Sequence, residues 1–420
     1  MIPFLFSSCS SVEQKNEKPN ILFIMSDDHA YQAISAYDDR LIQTPNIDRI
    51  ANEGMLFTNA SVTNSICAPS RAVILTGKHS HLNGKIDNHA KFDDSQVTFP
   101  QLFQEAGYQT AMFGKLHFGN NPKGVDDFLI LPGQGSYINP RFIGPKGDTI
   151  ITGYVTDVIT DVTLNWLDKK RDKEKPFMMM YLHKAPHRAW WPSPEKFAEF
   201  YEKEFPEPAT LFDDYSNRGT AAKTAEMNIL THMQYMHDSK VRPETMKEMG
   251  KVEPEIVYVR GDGTLVRPTE QGFNGPFGRA NEEQKKKYDV TLDKISKDFK
   301  ENWPSMNDKE KMQWKFQRYM QDYLATISSV DDNVGRVLDY LDETGLDDNT
   351  IVIYTSDQGF YLGEHGWFDK RFIYDESFKT PLMIKWPNKI TPGTSTEEMV
   401  QNLDFAQTFL EAAMIEAPDD

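Results

Sequence analysis

The chain has 420 residues, a net charge of −17 and 39% hydrophobic residues. This length is enough for a large core in one or two domains, and the composition is that of a globular rather than a disordered protein. The negative charge excludes non-specific nucleic-acid binding, which needs a basic surface. No apolar run approaches the roughly 18 residues of a membrane span.

The first 18 residues contain one of the two cysteines, Cys9, at the end of the short apolar segment Leu5-Phe6-Ser7-Ser8-Cys9. This pattern is typical of the end of a bacterial lipoprotein signal, although a frayed N-terminus is the alternative. We expect residues 1–18 to be a signal remnant and tether. The protein would then lie in the bacterial periplasm or cell envelope and contact the membrane only through a lipid on Cys9. Two cysteines are too few for a disulfide framework.

Apolar runs of strand length alternate with helical patterns along the chain. We predict strands at residues 20–26, 108–113, 177–182, 350–355 and 381–386. We predict helices at residues 44–54, 69–75, 100–106, 156–170, 318–345 and 401–413. This alternation predicts an α/β fold, with a sheet covered by helices on both faces.

Residues 213–317 differ from the rest, because charges are dense, methionines are frequent and the apolar periodicity is broken. We interpret this segment as an insertion of helices and loops in a catalytic domain that covers residues 19–420. Within it, residues 283–302 are predicted to form a solvated helix. No catalytic role is assigned to the insertion.

Four of the predicted strands run directly into residues that can carry chemistry. These are Asp27 and Asp28, Lys115 and His117, His183 and His187, and Asp357 and Gln358. Sites in open α/β sheets lie beyond the carboxyl ends of the strands. Adjacent carboxylates at a buried strand end repel each other. A divalent cation would compensate them, and a solvated turn is the alternative.

Cys67 opens the segment Cys67-Ala68-Pro69-Ser70-Arg71, just before a predicted helix. Proline is favoured in the first helical turn, and a helix N-terminus attracts anions through its free N–H groups and its dipole. Arg71 adds a cation at the same place. An inert buried thiol is the alternative for a lone cysteine.

The loop after the third strand combines His183 and His187 with the tandem tryptophans Trp190 and Trp191. Two tryptophans beside a histidine-rich turn could form a wall for a sugar ring, whereas single tryptophans usually belong to the core. We therefore expect Trp190 and Trp191 to bind substrate.

The motifs resemble the type I sulfatases, which depend on formylglycine. The resemblance covers residues 20 to about 409 and rests on Cys67-Ala68-Pro69-Ser70-Arg71, on Thr76-Gly77-Lys78, on Thr355-Ser356-Asp357-Gln358-Gly359 and on Gly363-Glu364-His365-Gly366-Trp367. It implies an alkaline phosphatase-like fold with a large, mixed, mostly parallel sheet. The family's small C-terminal antiparallel domain is expected to be missing or truncated, since the chain stops at Asp420.

The resemblance implies a metal site and a modified nucleophile. Asp27, Asp28, Asp357 and Gln358 would bind the metal together with a formylglycine derived from Cys67. An all-oxygen shell favours calcium, with magnesium possible. Many family members have Asn at the position of Gln358, so Gln358 is one methylene longer than the common ligand.

The remaining roles also follow from the resemblance. The cations Arg71, Lys115 and Lys370 would neutralise the sulfate. His117 would be the base, and His187 the sulfate ligand or the acid for the leaving sugar. His183 and His365 would contact substrate, with a core position equally expected for His183.

The family implies a carbohydrate sulfatase for host glycans that matures through a formylglycine-generating enzyme. The similarity is nearest to bacterial N-acetylglucosamine-6-O-sulfatases, so we expect a 6-O-sulfate in heparan- or mucin-type glycans. The alternatives are another glycosaminoglycan or mucin sulfate, a phosphonate monoester hydrolase or phosphodiesterase of the same superfold, and a non-catalytic binder of sulfated glycan.

Overall fold

A ten-stranded mixed sheet forms the centre of the computed structural model, which describes residues 18–259 and 264–418. Cys9 and its expected lipid tether lie outside these residues. The strands are β1 (Asn20–Ser26), β2 (Met55–Phe57), β3 (Ala60–Ser61), β4 (Gln109–Gly114), β5 (Asp127–Ile130), β6 (Arg141–Gly144), β7 (Gly147–Ile150), β8 (Phe177–Leu182), β9 (Tyr258–Val259), β10 (Leu265–Val266), β11 (Thr350–Ser356), β12 (Tyr361–Leu362), β13 (Phe368–Asp369), β14 (Leu382–Lys385), β15 (Thr394–Thr396) and β16 (Val400–Gln401). In the large sheet their order is β15-β2-β14-β11-β1-β8-β4-β5-β6-β7.

Helices cover both faces of this sheet. They are α1 (Pro45–Asn52), α2 (Cys67–Thr76), α3 (Ser80–Asn83), α4 (Phe99–Glu105), α5 (Val155–Asn165), α6 (Pro194–Tyr201), α7 (Thr220–Lys223), α8 (Ile229–His232), α9 (Pro243–Met249), α10 (Gln271–Phe277), α11 (Glu282–Asn302), α12 (Asp308–Thr344), α13 (Asp375–Phe378) and α14 (Phe405–Ala412). Within the described ranges, no helix is both long and apolar enough to cross a bilayer.

Strand β1 shows how the two faces are built. Its side chains alternate: Leu22 and Ile24 enter the core under α5 and α12, whereas Phe23 enters the core under α4 and α14. Successive residues of a strand point to opposite faces, so a continuous apolar run fills both cores. The predicted α/β fold, with helices on both faces of a mixed and mostly parallel sheet, is confirmed.

The central strands β11, β1, β8, β4 and β5 are parallel. Their carboxyl ends therefore meet at one edge of the sheet. The register pairs Ser26 with Ser356, and it pairs Leu182 with both Met25 and Gly114. The residues that follow these strands are thus placed side by side, although they are far apart in sequence.

Helix α12 begins at Asp308, ten residues before the predicted start at residue 318. A capping box fixes this start, because the side chain of Asn307 accepts a bond from the N–H of Glu310 at 3.1 Å and the Glu310 carboxylate accepts one from the N–H of Asn307 at 2.8 Å. The charged first turns of the helix were assigned to the insertion from sequence.

The predicted solvated helix at residues 283–302 corresponds to α11, but it is not solvated on all sides. One face buries Tyr288, Leu292, Ile295 and Phe299 in the core on the α5 and α12 side. The many lysines and acidic residues on its other face hide the apolar stripe in the sequence. The insertion is therefore an integral part of the packed domain.

Candidate active site

Cys67 is the first residue of α2 and is fully buried. Its Sγ lies 3.2 Å from the Nζ of Lys370 and 3.6 Å from the Nε2 of Gln358. Burial, followed by the nearby charge of Asp27, raises the pKa of the thiol to about 12. The unmodified side chain is thus a neutral thiol, and a neutral thiol is a poor nucleophile.

Three buried carboxylates lie next to Cys67. Asp27 and Asp28 follow β1 and Asp357 follows β11, and one oxygen of each lies within 4.8 Å of the others. The backbone N–H of Asp28 donates to Oδ1 of Asp357 at 3.1 Å. Asp28 holds a left-handed backbone, with φ of +69°, which is uncommon outside glycine. Such crowded carboxylates require positive charge nearby.

Three oxygens of this cluster are buried and accept no hydrogen bond from the described residues. They are Oδ1 of Asp27, Oδ2 of Asp28 and Oε1 of Gln358. Buried polar atoms normally have a partner. Carboxylate and amide oxygens are the ligands that hard divalent cations prefer. The residues present therefore fit a divalent metal ion, and the predicted ligands converge on one point.

Three buried cations surround the cluster, each paired with one carboxylate. Arg71 donates from Nε to Oδ2 of Asp357 at 2.8 Å, Lys115 donates to Asp27, and Lys370 donates to Asp28. All three predicted cations thus lie within the same site as Cys67. They form a positively charged shell for an anion placed at Cys67.

The carboxylates respond differently to these cations. Burial would raise the pKa of Asp27, but Lys115, His187, Arg71 and Lys370 together outweigh burial and hold that pKa well below the usual range. Burial raises the pKa of Asp28. Burial and the charge of Asp27 raise the pKa of Asp357 to about 7. The cluster therefore resists holding three negative charges when no further cation is present.

The structure brings His117 and His187 to the same edge. Burial and Lys115 lower the pKa of His117 to about 3, and the same two causes hold the pKa of His187 well below its usual value. Nε2 of His187 lies 3.7 Å from Oδ2 of Asp28, while Nδ1 is hydrogen-bonded to the carbonyl of Arg188. Both rings are neutral at pH 7, and Nε2 of His187 faces the site.

The expectation that Trp190 and Trp191 line a sugar site is wrong, because both side chains are 0% exposed. The Trp190 ring packs 4.7 Å from the ring of Tyr319, and Trp191 packs 5.5 Å from the ring of Phe273. They belong to the cores beneath the loop, so a sugar cannot reach them.

His183 is also fully buried, with its ring 4.3 Å from that of Tyr181, so the expected substrate contact is wrong and the core alternative holds. His365 lies at a partly exposed position. Its Nδ1 is 2.9 Å from Oδ2 of Asp213 and 3.0 Å from Nη2 of Arg218. Beside it, an open cavity of about 520 Å³ is lined in part by Asp213 and Arg218. Substrate contact by His365 stays a prediction.

Several residues at the site were not singled out from sequence. Gln134 accepts a hydrogen bond from Lys115, and Asn88 accepts one from the N–H of Ala68 at the start of α2. Asp369 and Arg371 flank Lys370 and form an ion pair at the rim, both with left-handed backbone. Only their adjacency to Lys370 could have marked this pair. No sequence motif marked Gln134 or Asn88, because both residues lie in loops.

The sequence also matches a known protein family. The sequence model of the sulfatase family matches residues 19–415. The chain belongs to the sulfatase family. It is accordingly a sulfuric ester hydrolase, as the motif resemblance implied.

Similar proteins agree with this assignment. The sulfatase is 45% identical to an N-acetylglucosamine-6-O-sulfatase of Bacteroides thetaiotaomicron, over 99% of this chain and 71% of the relative. It is 26% identical to the iduronate 2-sulfatase of Mus musculus, over 89% of this chain and 60% of the relative. It superposes with a TM-score of 0.87 and 45% identity on a structure of BT4656 in complex with its substrate D-glucosamine-2-N,6-O-disulfate, covering 96% of this chain and 78% of that one.

Proposed function

We propose that this sulfatase hydrolyses the 6-O-sulfate ester of N-acetylglucosamine or N-sulfated glucosamine, in heparan- or mucin-type host glycans. The observation that carries the proposal is the 45% identity, over 99% of the chain, to an N-acetylglucosamine-6-O-sulfatase. The TM-score of 0.87 to a structure holding a 6-O-sulfated glucosamine supports the same substrate class.

The nucleophile of the proposed reaction is a formylglycine made from Cys67 by a maturation enzyme. Held at the start of α2, this group would supply a hydrated aldehyde, with one hydroxyl as the nucleophile toward sulfur and a second whose deprotonation would let the C–O bond to sulfate break. The raised pKa of the Cys67 thiol supports the proposal, because the unmodified side chain would be a weak nucleophile. The position of Cys67 at the start of α2, beside Lys370, suits a group that binds an anion.

The proposed metal is a divalent cation, calcium before magnesium, held by Asp27, Asp28, Asp357 and Gln358. When bound, it would supply Lewis-acid polarisation of the sulfate ester. The support is the donor set, which contains only oxygen, and the three buried oxygens that accept no hydrogen bond from the described residues.

The cations of the chain bind and neutralise the sulfate ester in this proposal. Lys115 and Lys370 have buried ammonium groups beside Asp27 and Asp28, so they are fixed before the substrate arrives. Arg71 is held in the same way by Asp357. Donors fixed in advance and shielded from water stabilise the charge that shifts onto the leaving oxygen.

His187 and His117 move the protons. The sulfate ester is an anion, so its arrival offsets the charge of Lys115 and raises the pKa of the neighbouring imidazoles. The neutral ring, which carries its proton on Nδ1, then takes up a second proton from solvent at Nε2 and gives that proton to the leaving sugar oxygen. The neutral ring of His117 accepts a proton in the step that releases sulfate.

The sugar is held at the rim beside Lys370. Arg371 has a side chain that is 52% exposed, and its ion pair with Asp369 presents both a donor and acceptors. We propose that this pair binds hydroxyl groups of the glucosamine ring. A site that bonds specific hydroxyls discriminates strongly against sugars that lack them.

A matched substrate panel tests the function. We expect kcat/KM to be highest for N-acetylglucosamine-6-sulfate or N-sulfated glucosamine-6-sulfate, and much lower for galactose-6-sulfate, N-acetylgalactosamine-4-sulfate and a 2-O-sulfated uronic acid. The corresponding N-acetylglucosamine-6-phosphate is the control for phosphatase activity. A preference for any of these three other sulfated sugars would contradict the substrate proposal, and a preference for the phosphate ester would contradict sulfatase specificity.

We also propose that the protein works in the bacterial envelope, anchored by a lipid on Cys9. The support is the sequence Leu5-Phe6-Ser7-Ser8-Cys9 followed by a polar tether. Metabolic labelling with a radioactive fatty acid should mark the wild type but not Cys9→Ala. Equal labelling of both would contradict the anchor.

A further inference from the structure

Arg188 is clamped to the insertion through a buried carboxylate. Its Nε donates to Oδ1 of Asp238 at 2.7 Å and its Nη2 donates to Oδ2 at 2.6 Å. Asp238 is 0% exposed, whereas the side chain of Arg188 is 26% exposed. A paired, two-pronged contact of this kind fixes orientation as well as distance. Residue 188 is therefore held in one position by the insertion.

The backbone of Arg188 in turn orients His187. The carbonyl of Arg188 is the partner of Nδ1 in the His187 ring. The neutral imidazole has one N–H, so donation from Nδ1 to this carbonyl leaves the lone pair of Nε2 facing Asp28 at 3.7 Å. The position of residue 188 therefore sets both the tautomer of His187 and the direction of its reactive nitrogen.

Asp238 is itself rigidly held. The N–H of Gln234 donates to its Oδ2 at 2.7 Å. Nζ of Lys240 donates to the carbonyl of Asp238 at 3.1 Å and lies 3.5 Å from the carboxylate of Asp322 on α12. Burial opposes ionisation of Asp238, but Arg188, His237 and the N–H of Gln234 together outweigh burial and lower the pKa to about 2. The clamp is thus charged at neutral pH.

The same part of the insertion also holds the strand that leads to Lys370. The N–H of Phe368 donates to the carbonyl of Met227 at 2.9 Å. The guanidinium of Arg188 lies 4.8 Å from the centre of the Phe368 ring. The segment from Met227 to Asp238 therefore contacts the chain beside both His187 and Lys370.

We propose that Asp238 is a positioning residue: through Arg188 it fixes the imidazole of His187 at the sulfate-binding site, which gives the insertion a role in turnover. This inference rests on the proposed role of His187 as proton donor. Displacing the His187 ring should slow the chemical step more than it weakens substrate binding. The reason is that proton transfer needs the donor nitrogen and the acceptor oxygen to lie within about 2.6–3.2 Å of each other.

The test compares Asp238→Asn with the wild type on N-acetylglucosamine-6-sulfate and on 4-nitrophenyl sulfate. The sugar alcohol needs a proton to leave, whereas nitrophenolate does not. We expect kcat for the sugar sulfate to fall about tenfold to a hundredfold with little change in KM, and kcat for the aryl sulfate to fall much less. Asp289→Asn is the matched control, since it breaks the 2.6 Å pair with Arg242 elsewhere in the insertion.

A double-mutant cycle shows whether Asp238 acts through His187. In a His187→Ala background, Asp238→Asn should lower kcat no further. The same loss in both backgrounds, or equal losses on both substrates, would show a purely structural role and overturn the inference. Full kcat in His187→Ala would overturn the role of His187 itself. If Asp238→Asn does not fold, Arg188→Lys keeps the charge but loses the two-pronged contact, and unchanged kcat in that variant would equally refute the clamp.

Discussion

The effect of substituting a charged residue at the site depends on how the buried charges are paired. Asp27, Asp28 and Asp357 are each paired with a buried cation. Removing one member of a buried pair leaves an uncompensated charge and costs about 3–5 kcal/mol. Replacing one of these carboxylates by an amide of the same shape should not carry this full cost, because the three carboxylates also repel one another and the substitution relieves that repulsion.

If the proposed calcium ion binds at this site, Asp357→Asn should abolish its stabilisation of the protein without destabilising the metal-free protein at pH 8. The pKa of Asp357 is raised to about 7, above its unfolded value. Its ionisation therefore costs folding stability as the pH rises from about 4 through 7, and the neutral amide avoids that cost. A ligand at a hundred times its Kd stabilises the wild type by about 2.7 kcal/mol.

Thermal unfolding with calcium and with chelator measures both effects. Asp348→Asn is the control, because Asp348 lies in the exposed turn before β11. A calcium-dependent rise in Tm that is as large in Asp357→Asn as in the wild type would rule out Asp357 as a ligand.

Trp191→Phe should lower stability by about 1–3 kcal/mol and leave KM unchanged. The reason is that Trp191 is 0% exposed and packs against Phe273 and Tyr288 rather than facing a ligand. Urea unfolding and Michaelis–Menten kinetics on the same preparation separate the two effects. Ile373→Ala, at a position 76% exposed, serves as the surface control. A raised KM with unchanged stability would restore the sugar-wall interpretation.

Among the helices, α12 stabilises the start of α1 through one side chain. Oδ1 of Asp331 accepts bonds from the N–H groups of Asn46 at 3.0 Å and Ile47 at 2.8 Å, and Oδ2 accepts one from the Asn46 side chain at 3.0 Å. The first N–H groups of a helix have no partner inside the helix. Thr44, the residue before α1, makes no side-chain cap bond, so Asp331 takes over that function from another helix.

Asp331→Ala is expected to destabilise the protein by about 2 kcal/mol, as the loss of a strong helix cap does. Burial raises the pKa of Asp331 to about 6. Since this exceeds the unfolded value, the contribution of Asp331 is full below about pH 4 and falls as the pH rises through 6. The penalty of the substitution should therefore be larger at pH 5 than at pH 8.

Urea unfolding at the two pH values measures this difference. Asp332→Ala removes the neighbouring exposed carboxylate and is the matched control. A penalty that grows with pH would contradict the assigned direction of the pKa shift.

At the scale of the whole molecule, the sequence predicted most of the sheet and the convergence of the site. Strands such as β1 were predictable because they are buried on both faces and read as unbroken apolar runs. The carboxylates and cations could be placed together because parallel strands end at one edge. The short strands β6 and β7 were missed, since Gly147–Ile150 is exposed and carries no apolar pattern.

The rest depended on contacts that local patterns do not encode. A tandem of Trp190 and Trp191 looks the same in sequence whether it lines a ligand or fills a core. The partnership of Arg188 with Asp238 spans 50 residues, and nothing near either residue marks it. The apolar stripe of α11 is diluted by lysines and acidic residues. The burial of the two tryptophans, the pairing of Arg188 with Asp238 and the buried face of α11 all depend on tertiary packing.

The complete burial of Cys67 has a consequence for the order of events during biosynthesis. An enzyme that converts this thiol to formylglycine must reach the sulfur, yet the side chain of Cys67 is 0% exposed in the folded protein. Folding of the sheet brings Asp28 and Asp357 together across 329 residues of chain, so it requires β11 to have been synthesised. In the proposed pathway, the time between the emergence of Cys67 and the docking of β11 is therefore the period in which the nucleophile can be created. A chain that folds first is left with an ordinary thiol.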